Sequence, residues 1–187
     1  MDNEEVIKQI KEITERELSA WKKARGYAPD EVSDKIEHIM MDWIISLTEC
    51  LDIWGKKAAD LTDGELILAR TNLGALVEDW LKLFLVIHLE DYNNNPILDC
   101  KGKFIKPEKL SFEKLRIYFK SHILNLSPGQ KFINWIESIQ HRRNAIHAFN
   151  YKDIGTVYDL ENDFVIYRDF IRYLIDVMPG NPNEFDW

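Results

Sequence analysis

His141, Arg142, Arg143, Asn144 and His147 bring two imidazoles, two arginines and an amide into seven positions. An imidazole changes charge near neutrality, so it can accept or return a proton at physiological pH. A guanidinium keeps its charge and presents a planar fork of N–H donors that matches a phosphate. These residue types suit binding and cleavage of a phosphodiester. His147 would move the proton, Arg142 or Arg143 would hold the charge that builds on the phosphoryl oxygens, and Asn144 would orient the phosphate or the imidazole.

Periodicity assigns these side chains to a helix. Phe132, Trp135, Ile136 and Ile139 recur at helical spacing, and Arg143 falls on the next step of the Phe132, Ile136, Ile139 series. The spacing predicts one helix from Pro128 to about Asn150, with His147 one turn beyond Arg143 on the same face and Arg142 about 140° away from His147. A cation on an apolar stripe then meets a partner or a cleft. The plainer alternative is that cations near a helix C-terminus engage the last carbonyls, while the arginine stem is buried and its head stays wet.

Five further elements have to position this one. Val6, Ile10, Ile13 and Trp21 predict a first helix, capped by Asp2 or Asn3 and running to about Arg25. A second runs from Asp30 to Gly55, with Val32, Ile36, Ile39, Trp43, Leu47, Leu51 and Trp54 on one face. Thr62 and Glu65 have capping-box spacing and open a third and longest helix, reaching about Tyr92, whose second half is apolar nearly all round. Glu78 is a carboxylate on that helix, and burial makes it need a cation, with Arg70, Arg142 and Arg143 as candidates. Its functional reading is to orient the arginine or the histidine. Asn93 to Pro107 is the least helical stretch and contains a short hairpin, Ile97 to Ile105, turning at Lys101-Gly102. Ser111 caps a fourth helix with Phe112, Leu115, Phe119 and Ile123 inward, and a sixth follows from about Asp159 or Asn162 to Met178. His38 reads as a surface or boundary side chain, and His122 lies near the apolar side of the fourth helix with no partner visible in sequence.

The expectation is an all-α bundle of five or six helices, with a loop or hairpin insertion near 93–110. The 187 residues read as one domain, with 1–60 as an N-terminal helical extension, 61–178 as the core and 179–187 as a tail.

Charge is unevenly spread. Lys101 to Lys152 holds eleven lysines and arginines against three carboxylates, a local +8 in a chain of net charge -8. The excess brackets the His/Arg stretch, as expected of an acidic protein with one phosphate-binding surface. Solvated lysines on helix surfaces are the alternative. Cys50 and Cys100 are isolated, in no CxxC or Cys/His cluster, so no disulfide framework or zinc site is indicated. The acidic start Met1-Asp2-Asn3-Glu4-Glu5 is unlike a secretory signal, and Lys82 and His88 interrupt the apolar run from Trp80 to Leu89. A cytoplasmic location without membrane insertion is expected. No P-loop, Gly-rich dinucleotide turn or metal-ligand cluster occurs, and no cofactor is expected.

Arg142-Arg143-Asn144-Ala145-Ile146-His147 resembles the Arg-X4-6-His signature of the HEPN domain family, helical bundles frequent in prokaryotic toxins, antiviral systems and RNA-cleaving enzymes. Arg143 would be the polar residue that follows the signature arginine. Arg143-Asn144 also matches the family's frequent Arg-Asn pair, with one residue fewer before His147, so both arginines remain candidates. Leu76-Val77-Glu78 on a central apolar helix and the Ser111–Ile123 helix before the motif are similar to the family layout, and the resemblance spans roughly Thr62 to Met178. Some family toxins carry a tyrosine two residues after the histidine that a partner enzyme modifies. Here that position is Phe149, with Tyr151 nearby.

The resemblance implies a metal-independent endoribonuclease leaving a 2′,3′-cyclic phosphate and a 5′-hydroxyl, with His147 taking the ribose 2′-hydroxyl proton or supplying one to the leaving oxygen. It implies toxin–antitoxin or antiviral defence, a C2 homodimer that joins two motifs in one cleft, and an antitoxin or other regulatory partner. Two other readings stand beside it. One is a non-catalytic module of the same shape that binds RNA, nucleotide or a partner protein. The other is a structural adaptor in which the arginines pair with Glu78 and Asp79.

Overall fold

The computed structural model describes residues 3–185, so Asp2 as a cap and the last two residues of the expected tail lie outside the described residues. Within that range the α-helices are α1 (Asn3–Trp21), α2 (Asp30–Glu37), α3 (Met41–Glu49), α4 (Leu51–Lys56), α5 (Asp63–Ile87), α6 (Leu89–Asn94), α7 (Phe112–His122), α8 (Ile133–Arg143) and α9 (Val157–Val177). The chain is an all-α bundle.

Local signals place most helix starts. The Glu65 N–H donates to Thr62 Oγ1 at 3.3 Å and the Thr62 N–H to Glu65 Oε2 at 2.9 Å, closing the expected capping box of α5. Ser111 accepts from the Lys114 N–H at 3.4 Å and starts α7. Thr156 and Asp159 form a second capping box, so α9 begins at Val157, ahead of the expected start at Asp159 or Asn162.

The main difference lies between Asp30 and Lys56, where one predicted helix is three. Turns at His38–Met40 and near Cys50 rotate the inward face: Met41, Ile44 and Thr48 are buried, whereas Trp43, expected in the core, is 67% exposed and Leu47 is exposed with it. The turns let α2 and α3 reach α5 while α3 and α4 lie along α1, which one straight rod could not do.

α5 is the central element. It packs against α2, α3, α4, α7, α8 and α9, and Trp80, Leu81, Leu83, Phe84, Leu85 and Val86 are all buried. α1 packs against α9, so residues on both sides of Thr62 share one hydrophobic core. The expected hairpin exists as a single antiparallel bridge between Leu98 and Phe104, with Gly102 at φ +74° in its turn. No helix is long and apolar enough to cross a membrane among the described residues.

Candidate functional site

α8 carries the motif only as far as Arg143. Asn144–Ile146 is a 3-10 turn, and His147 is its C-terminal flank with non-helical backbone, φ -86° and ψ 59°. The expected helix to Asn150 is therefore shorter, and His147 does not share a helix face with Arg143. A 3-10 turn advances about 120° per residue where an α-helix advances about 100°, which swings the following side chain off the apolar stripe. His147 is exposed, and its ring has no partner among the described residues. Asn144 is exposed too, and its carbonyl accepts the His147 N–H at 3.3 Å.

The two arginines point to different places. Arg143 Nη1 lies 2.7 Å from Glu78 Oε2, and the other oxygen of Glu78 accepts from Lys82 Nζ at 2.7 Å. Of the three arginines expected as partners for Glu78, Arg143 is the one that meets it. Its guanidinium also lies 5.6 Å from the Phe112 ring centroid, a cation–π contact. Gly74 makes room for its stem, since a Cβ there would come within 2.7 Å of Arg143 Cβ. Nε and Nη2 of Arg143 have no partner among the described residues, and the side chain is 31% exposed.

Arg142 turns inward to α9. Its Nη1 donates to Asp163 Oδ2 at 3.0 Å, its Nη2 lies 3.8 Å from Asp159 Oδ2, and the side chain is 18% exposed. Asp163 also accepts from Trp135 Nε1 at 3.0 Å and from Arg70 Nη1. Arg70 further donates Nε to the Ile154 carbonyl and Nη2 to the Thr156 carbonyl, both at 3.1 Å. Burial pulls the Arg70 pKa below its ordinary value and Arg142 adds to this, while Asp163 opposes the shift. The cluster ties α5, α8, α9 and the segment before α9 together.

Sequence reasoning did not assign Asp163. A signal was present: it stands three residues after Leu160 and four before Tyr167, both buried, so it is an acid on an apolar stripe, the counterpart of Arg143. Asp79, offered as an arginine partner, has no ion pair among the described residues. It lines a cavity of about 630 Å³ with α2 residues and Lys82, Leu83, Val86, Lys106 and Lys109. His38 lies in that cavity wall, its Nδ1 2.6 Å from the Asp34 carbonyl, and His122 stacks on Tyr118 with ring centroids 4.4 Å apart. Both are exposed, His38 as expected, and Tyr118 is the partner of His122 that the sequence did not reveal. Cys50 and Cys100 are free.

Fold and site together define an all-helical bundle with an exposed histidine just past the end of the helix that carries a partly open arginine. No protein-family profile, curated protein or solved structure matches the chain.

Proposed function

We propose that the protein is a metal-independent endoribonuclease of the HEPN type, acting in toxin–antitoxin or antiviral defence. The observation that carries this reading is an exposed, unpartnered His147 four residues after Arg143, whose guanidinium meets Glu78 through Nη1 and keeps Nε and Nη2 unpartnered among the described residues. In this reading His147 exchanges the proton with the ribose 2′-hydroxyl or the leaving oxygen. Arg143 stabilises charge on the phosphorane, and Asn144 orients the phosphate. Arg142, engaged by Asp163, positions the turn that carries His147, and Glu78 positions Arg143. Residues 138–152 contain no carboxylate, which favours an approaching polyanion. The active form is a C2 dimer in which two such sets share a cleft, and an antitoxin or other partner restrains it.

Cleavage of end-labelled RNA with EDTA present tests the reading, comparing wild type with a His147→Ala variant shown to be folded and of unchanged mass. Loss of cleavage in the variant alone is the expected result. If wild type leaves several RNA substrates intact, the enzyme reading is lost. The reading then favoured is a non-catalytic RNA-, nucleotide- or partner-binding module, for which the intrachain pairing of both guanidinium groups speaks.

A further inference from the structure

Aromatic rings contribute most to cores because each buries a large apolar area. Phe84, Phe112, Phe119, Phe132, Phe164 and Phe170 follow that rule. Phe149 and Tyr151 break it, at 97% and 93% exposed, and Tyr158 at the start of α9 is exposed as well. The first two stand just after His147, on a segment held at both ends. Before it, Ala145 is buried and the Asn144–Ile146 turn packs on α5. After it, Arg70 holds the carbonyls of Ile154 and Thr156. Between them Gly155, at φ +66°, lies so close to Arg142 that a Cβ would come within 2.8 Å of the guanidinium. The segment is anchored while its rings project into solvent.

We propose that Phe149 and Tyr151 form a platform on which unpaired bases of a single-stranded RNA stack, next to His147. The proposal rests on the reading of this site as RNA-binding. A contact with another protein buries rings in an apolar centre depleted of charge. Here the exposed neighbours in sequence are Asn144, Ile146, His147, Ala148 and Asn150, with half-buried Lys152, and no carboxylate stands between Glu137 and the exposed Asp153. Exposed rings that share a segment with His147, two asparagines and Lys152 suit stacking plus backbone attraction, and stacking accepts any base because every base has a π-face. A duplex, whose bases are already stacked, would not engage the rings.

Binding of a labelled 2′-O-methyl oligonucleotide tests this, because the probe lacks the 2′-hydroxyl and stays intact. An abasic oligonucleotide of equal length keeps the phosphates without the bases. Phe149→Leu and Tyr151→Leu keep apolar side chains and lose the rings, and both sites are exposed, so the fold is retained. Each substitution is expected to weaken binding of the base-bearing probe roughly 5- to 100-fold. Binding of the abasic probe and the mass by light scattering should not change. Wild-type affinity in both variants overturns the platform, as do equal affinity of wild type for the two probes and no binding of either. A fall in mass for either variant also overturns it and assigns the rings to a contact between copies. Ring-dependent binding by a wild type that cuts no RNA keeps the platform and removes the ribonuclease; cleavage with ring-independent binding does the reverse.

Discussion

Glu78 and Asp79 are consecutive carboxylates on α5 with opposite surroundings. Glu78 is shared by Arg143 and Lys82, so its charge is compensated. Asp79 has no such partner: burial pushes its pKa from 3.8 up to about 6, with Glu78 adding to the rise and Lys82 and Arg143 opposing it. The folded state therefore favours the protonated acid. Its contribution to stability is fully present below the unfolded value of 3.8 and is lost as pH rises through 6. At ~1.4 kcal/mol per pH unit the loss is at most about 3 kcal/mol. Asp79→Asn, which cannot ionise, should accordingly raise unfolding stability at pH 7.5 by about 1–3 kcal/mol and by much less at pH 4. Urea titrations of both proteins at the two pH values check this, and an equal effect at both would rule out burial of the charge as its cause.

The approach of α5 to α8 depends on Gly74. Glycine inside a helix normally lowers stability by about 0.5–1 kcal/mol relative to alanine, so Gly→Ala there usually helps. At Gly74 the sign reverses. The added Cβ would come within 2.7 Å of Arg143 Cβ and 2.8 Å of its Cγ and Cδ. Cβ cannot swing aside as a side-chain tip can, so α8 has to shift, and overpacking of this kind costs about 1–3 kcal/mol. Gly74→Ala is expected to lower the melting temperature and, if Arg143 stabilises the transition state, to reduce RNA cleavage further than the stability loss explains. Gly64→Ala on the same helix, where a Cβ meets nothing within 4 Å, is the control. A stabilised Gly74→Ala would show that the two helices are free to separate.

Across the whole molecule, Asp163 is the group on which distant parts of the chain converge. Arg70 from α5, Arg142 and Trp135 from α8 and the segment before α9 all connect through it. Removing one member of a buried charge cluster leaves the others uncompensated, at about 3–5 kcal/mol. Asp163→Ala should thus lower stability by that order in chemical denaturation, and a loss under 1 kcal/mol would show that water replaces the carboxylate. Much of this architecture was legible in the sequence. Apolar spacing of about 3.6 residues, the Thr62/Glu65 and Ser111 caps and the absence of alternating runs give an all-α bundle with a central helix from Thr62 to about Tyr92, which the structure divides at His88 into α5 and α6, because helix faces and caps are local properties. The Glu78 charge on that helix already called for a cation. Three things were decided only by tertiary contacts: which arginine answers Glu78, how the Asp30–Lys56 stripe breaks so that Trp43 faces outward, and where α8 ends so that His147 leaves its stripe. Each is a competition between segments far apart in sequence for the same surface of α5 or α9, and local periodicity carries no record of that competition.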